Sequence, residues 1–171
     1  MPIQFHPARG ALIIVNYGAG KHQPPEMNKR RLVVVIDPRI MNRPKLCTVV
    51  PLSCTPPYVL VPGDPNPPVI PAYTTSISLP FRLNEEWDYF WEKDERGNYV
   101  HDENGRRKRL NKVGHRWLKA DMIDTVSFER CELVEKDRKT RYASRQYCMD
   151  VLPNWIMSKV DACVKHALGL K

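Results

Sequence analysis

Three short runs within the first 53 residues leave this chain little choice of fold. Residues 11–17 (ALIIVNY), 32–37 (LVVVID) and 46–53 (LCTVVPLS) are apolar and rich in β-branched side chains, the composition of strands. Gly18 and Gly20 mark a turn after the first. The second is continuous, which predicts a strand buried on both faces. Pro51, near the end of the third, implies an edge or a bulge there, because proline brings no N–H to a ladder. Between the first two runs, residues 18–31 form a polar loop whose Pro24 and Pro25 exclude a helix. Nine of the sixteen prolines fall between residues 51 and 80, so that stretch must be extended segments and turns. Within it, residues 73–79 (YTTSISL) alternate in the manner of a half-buried strand.

Residues 84–115 break the pattern. They are first acidic and aromatic, with Trp87, Tyr89, Phe90 and Trp91, then carry Gly97-Asn98 and Asn104-Gly105 turn signals, then turn basic. This is read as an inserted excursion containing a hairpin. Strand character returns over residues 117–128. From Val151 onward, Leu152, Trp155, Ile156, Val160, Cys163, Val164, Ala167 and Leu168 recur at helical spacing. Asp150 is placed to cap this C-terminal amphipathic helix, Pro153 is tolerated in its first turn, and Gly169 suits its end. The predicted fold is mainly β with a C-terminal helix: a small, SH3-like, curved antiparallel β-barrel carrying the hairpin-containing insertion.

At 171 residues the chain is one domain's worth, 1–171, with enough apolar content (42%) for a real core. No apolar run approaches the roughly 18–20 residues that span a bilayer, and MPIQFHPARG has no charged start followed by an apolar core, so no secretory signal is expected. The five cysteines, Cys47, Cys54, Cys131, Cys148 and Cys163, are odd in number and lack metal-ligand spacing. They fit reduced thiols in a cytoplasmic protein better than disulfides or a zinc site. The formal charge of +8 favours a polyanionic partner, with nucleic acid ahead of a membrane surface because no basic amphipathic helix is evident. Residues 105–119 hold seven basic groups and no acid. They either face nucleic acid or pair with the acidic block 84–104 as the second arm of a hairpin.

No dinucleotide-binding glycine pattern, P-loop, zinc spacing or serine-hydrolase elbow is present. The informative residues are spread over three strand ends. Glu26 lies five residues before Arg31, Arg31 opens the run LVVVI, the next strand ends in Val50-Pro51-Leu52-Ser53, and a later one holds Lys119-Ala120-Asp121-Met122. Singly, each has a plainer reading: a solvated arginine, an exposed loop glutamate, a serine serving its turn. In this order, with Arg9-Gly10 before the first strand, TVSF after KADM and HALGL at the closing helix, the chain resembles the MazF/PemK toxin ribonucleases of toxin–antitoxin systems. The resemblance covers roughly residues 7–83 and 114–170, leaving an insertion at about 84–113.

The resemblance implies a fold of the MazF/CcdB kind and assigns roles residue by residue. Arg31 matches the catalytic arginine, with Leu32 where proline is usual. Glu26 matches the loop glutamate, with Met27 in place of glutamine and Pro25 where one branch has histidine. Ser53 matches the catalytic threonine or serine, Asp121 an aspartate that serves some members as a base, and Lys119 an arginine of those members. It further implies a homodimer, single-stranded RNA as substrate, a small acidic antitoxin as partner, and no cofactor or metal. Lys119, Arg30, Arg106, Arg107, Lys108, Arg109 and Arg116 are the expected RNA contacts, and Tyr17, Tyr58 and Tyr73 the candidates for base stacking.

Metal-independent RNA cleavage needs groups of these types. A base must take the 2′-hydroxyl proton, and cationic donors must hold the charged phosphorane. A guanidinium grips two phosphoryl oxygens at once. Glu26 and Asp121 both remain open as the base. Two other readings share the fold: a gyrase-poisoning toxin that cleaves nothing, and a non-catalytic module binding nucleic acid or protein. Glu26, Arg31 and Ser53 speak against the first; Leu32, Met27 and the insertion support the second.

Overall fold

The computed structural model describes residues 2–19, 30–37, 43–57, 69–78, 94, 98–108, 115–135, 147 and 150–170. Glu26, Arg109, Tyr58 and Cys148 lie outside them, as do most of the loop 18–31 and residues 58–68 of the proline-rich stretch. The described chain is an antiparallel sheet with one C-terminal helix: β1 (Leu12–Asn16), β2 (Arg30–Asp37), β3 (Leu46–Ser53), β4 (Ser76–Ser78), β5 (His115–Leu118), β6 (Asp124–Ser127), β7 (Cys131–Leu133) and α1 (Asn154–Ala167). The neighbours run β4-β5-β3-β2-β1-β7, with β6 also on β3. The sheet is curved but not closed, since β4 and β7 do not pair among the described residues.

The three apolar runs are the centre of this sheet. Each residue's side chain points opposite to its neighbour's, so β1–β3 feed two cores. Leu12, Ile14, Leu32, Val34, Val50 and Leu52 pack with Ile77, Leu118 and the Ile156, Met157, Val160 and Cys163 stripe of α1. Ile13, Val15, Val33, Val35, Cys47 and Val49 pack on the other face against Ile3, Tyr17, Val126, Phe128 and Cys131. Burial on both faces is why LVVVI is unbroken by polar residues.

Pro51 shapes the far edge of β3. Its carbonyl accepts the Lys119 N–H at 3.0 Å, so in an antiparallel ladder its nitrogen faces the same edge. That nitrogen carries no hydrogen, and Lys119 O is left without the reciprocal bond. It takes the Met122 N–H instead, at 3.0 Å, which folds Ala120–Met122 into a 3-10 turn. Leu52 pairs with Leu118 above the turn and Val49 with Asp124 below it, so β5 and β6 flank β3 in two registers separated by the extruded turn. This corrects the edge or bulge expected at Pro51, which pairs in register with Val33 within the central strand β3, the irregularity falling at the Ala120–Met122 turn beside it.

Arg9-Gly10 joins the two ends of the chain. Gly10 has φ +81°, and a Cβ there would sit 3.3 Å from both Leu152 O and the Met157 sulfur. Gly10 O accepts Leu152 N–H at 2.9 Å, and Val151 bridges Ala11. Arg9 donates to Ile36 O, freed by a bulge between Val35 and Asp37, and pairs with Asp161 of α1. This extended passage corrects the expected cap. Residues 151 and 152 are committed to Ala11 and Gly10, so the helix starts later, with Pro153 rather than Asp150 at the N-cap and no side-chain cap bond. Its end is as expected: Gly169 at φ +68° lets Leu170 N–H reach Lys165 O.

The described part of the insertion is a hairpin. His101 bridges Arg107, Lys108 N–H donates to Val100 O, and Gly105 turns the chain at φ +72°. No helix of the described residues is long and apolar enough to cross a membrane.

Candidate functional site at the open end of the sheet

Toward the end of β2 and β3 that begins at Arg30, the second face changes character. Val33, Val35 and Val49 are fully buried, whereas Arg31, Ser53, Trp117 and Lys119 are half-buried. Here the apolar interior meets solvent.

The register aligns these residues. Val15 pairs with Arg31 on β2, and Val33 pairs with Pro51 on β3. The β2–β3 pairs run as far as Val33 and Pro51, and Arg31 and Ser53 are the next residues beyond them on the same face. Ser53 pairs in turn with Trp117 of β5, and Trp117 with Ser76 of β4. Ser53 and Trp117 thus form a cross-strand pair, and the alternation of β2 puts Arg31 on the same face, so the three make up one row at this end of the sheet.

The hydrogen bonding leaves this row with unused capacity. Arg31 Nε is out of solvent and has no hydrogen-bond partner among the described residues. Ser53 Oγ accepts the Thr55 N–H at 3.0 Å, so a lone pair is used in the turn while the hydroxyl proton remains to be donated. Lys119 follows on β5, beside Pro51, and Asp121 stands exposed on the 3-10 turn that Pro51 creates.

The other expected residues are placed differently. Arg30 is exposed, faces the opposite side from Arg31, and pairs with Glu132 of β7. Arg116 is only 3% exposed, opposite Ile77 on the helix-covered side, which takes it away from any surface RNA reaches. Arg106, Arg107 and Lys108 sit on the hairpin, with the Arg107 guanidinium 4.0 Å from the centre of the Tyr99 ring. Glu26 and Arg109 lie outside the described residues.

Two of the expected stacking tyrosines are also relocated. Tyr17 is 2% exposed, with Arg130 over its ring, and its hydroxyl has no hydrogen-bond partner among the described residues. Burial, with a smaller contribution from Asp124, pushes its phenol well above the ordinary range. Tyr73 packs against the helix-side core. Trp117 is the aromatic that the register delivers to the row, and only its position in a strand pairing with VVPLS would have singled it out.

Cys47, Cys131 and Cys163 are buried free thiols and Cys54 an exposed one. Among the described residues no three His, Cys, Asp or Glu side chains cluster as metal ligands.

Residues 8–65 match the family model of PemK-like, MazF-like toxins of type II toxin–antitoxin systems. The resemblance read from Arg9-Gly10, the two strands and VVPLS holds over that segment, which contains Arg31 and Ser53. Trp117 lies beyond it and reaches the row through β5, with Lys119 and Asp121 following at the 3-10 turn beside Pro51. No curated protein matches the chain. The match covers about a third of the chain.

Proposed function

We propose that this protein is a metal-independent endoribonuclease toxin that cleaves single-stranded RNA in the cytoplasm. The observation that carries the reading is the placement of Arg31 and Ser53 on one face, each two residues beyond the Val33–Pro51 pair, inside the toxin-like segment and at the open end of an otherwise apolar face.

The row suits attack of a ribose 2′-oxygen on its own phosphorus. A carboxylate, Glu26 or Asp121, takes the 2′-hydroxyl proton as the 2′-O–P bond forms. The Arg31 guanidinium donates to the phosphorane oxygens, and the Ser53 hydroxyl adds a neutral donor. The P–O5′ bond breaks, and the leaving oxygen takes a proton from water or the Lys119 ammonium. Arginine keeps its proton and acts by charge and geometry. The products are a 2′,3′-cyclic phosphate and a 5′-hydroxyl. Lys119 and the hairpin cations Arg106, Arg107, Lys108 and Arg109 hold flanking phosphates.

The active species is proposed to be a two-fold homodimer, held in check by a small acidic antitoxin segment drawn to the basic site. Sedimentation at micromolar concentration giving only monomer would remove the dimer from this reading.

The deciding experiment incubates the purified chain with a long RNA in EDTA and analyses the new ends. Cyclic phosphate and 5′-hydroxyl ends are expected, with none formed on DNA. Intact RNA, or 3′-hydroxyl and 5′-phosphate ends, would overturn the mechanism. Comparing Glu26→Gln with Asp121→Asn identifies the base as the residue whose loss removes the pH dependence of cleavage while RNA affinity is kept.

A further inference from the structure

Trp117 stands directly opposite Ser53 in the β3–β5 ladder, where facing Cβ atoms are about 4.5–5.5 Å apart. Its chain neighbours Arg116 and Leu118 are 3% and 0% exposed on the helix-covered side, while Trp117 is half-buried on the side of Ser53 and Arg31. The strand therefore spends its alternation on turning this indole toward the open face. Tyr17 is buried and Tyr73 belongs to the other side, so neither does this work. An indole offers a broad π-face, which suits a flat, uncharged ring.

We propose that Trp117 is a nucleobase-stacking subsite, one strand outward from the phosphate held by Arg31 and Ser53, and that it takes a base flanking the scissile bond. This rests on the ribonuclease reading. The subsite fixes the position of the ribose through its base, which aligns the 2′-oxygen with the phosphorus. Stacking is tolerant of base identity, so Trp117 sets the register of the strand on the protein, and selectivity for sequence has to come from polar groups elsewhere.

The test uses a short single-site RNA, the same RNA made abasic at each flanking position in turn, and its uncleavable 2′-O-methyl analogue. Trp117→Leu, which keeps an apolar side chain without the π-face, is expected to lower kcat/KM by about 5- to 150-fold, the range of one base stack removed. Trp117→Phe should recover most of it. One abasic position should cost the wild type a similar factor and cost Trp117→Leu nothing further, because both changes remove the same interaction. The 2′-O-methyl RNA should quench tryptophan emission in the wild type and much less in Trp117→Phe. Full activity of a folded Trp117→Leu protein, or wild-type cleavage indifferent to every flanking abasic site, overturns the subsite; the second result stands even if Trp117→Leu does not fold. Failure of the wild type to cleave any RNA overturns the ribonuclease reading instead, and the quenching comparison then decides the subsite alone.

Discussion

The two faces of the same three strands differ in what lies at their ends. On the helix side, Leu32, Val34, Val50 and Leu52 are sealed by Leu118, Ala120 and the α1 stripe, and the exposed Asn16–Arg30 pair closes the end of that face. On the other side the equivalent run, Val35, Val33, then Arg31 and Val49, Pro51, then Ser53, turns polar where cover stops. Because alternate residues of a strand face opposite ways, one stretch of backbone serves a sealed core and an open site without compromise between them. Both faces carry a buried core, and the chemistry is proposed for the open end of the second.

That separation is tested most severely at Arg31. Arg31→Ala should slow RNA cleavage on the order of 10²–10³-fold, by analogy with the removal of an oxyanion donor, while the melting temperature stays within a degree or two of wild type, since its Nε makes no hydrogen bond among the described residues. Arg31→Lys restores charge without the fork and should recover only part of the rate. An Arg31→Ala protein that cleaves normally in EDTA breaks the assignment of the site.

The opposite result is expected from Ile156→Ala. Ile156 is 4% exposed in the helix-side core, and its truncation should cost about 2–4 kcal/mol of stability in a denaturant titration. Specific activity per folded molecule should be unchanged. A matching loss of activity would mean that α1 positions the site as well as sealing the core.

A smaller effect is expected in the insertion. Neutralising Arg106, Arg107, Lys108 and Arg109 together should weaken RNA binding on the order of tenfold and flatten its salt dependence by about 0.7 in log–log slope for each phosphate no longer neutralised. An unchanged slope assigns the cluster to interactions within the chain, such as Arg107 on Tyr99.

The least perturbing change is Tyr17→Phe. The buried hydroxyl has no hydrogen-bond partner among the described residues, so its removal should leave stability equal or higher, by up to about 1 kcal/mol. The sign with pH follows from the raised phenol. Its folded form ionises later than the ordinary 10.0, so the contribution is intact below that value and is lost as pH rises beyond it. Tyr17→Phe should therefore flatten the alkaline flank of the stability curve. Steeper alkaline unfolding would show that the hydroxyl does have a partner.

What the sequence determined by itself is what local chemistry decides. β3 falls on LCTVVPLS to the residue, because β-branched content and flanking turns are both local signals. Gly105 and Gly169 turn the chain where their freedom at positive φ predicts, and α1 carries the expected Ile156, Val160 and Cys163 stripe. Pro51 forecast an edge or a bulge from its missing donor, and the irregularity fell instead in the chain beside it, at the Ala120–Met122 turn. What only the tertiary structure decided is pairing. β7, three residues long, shows no period to read. Arg116 looks like any surface cation until β4 and the helix-side core bury it. Asp150 looks like a cap until Gly10 holds Leu152 extended. The row of Arg31, Ser53 and Trp117 joins positions far apart in the chain, and a slip of one residue in either ladder would turn a member to the other face. Register is set by the whole hydrophobic pattern and by the turn that Pro51 extrudes, so the site belongs to the sheet rather than to any one of its segments.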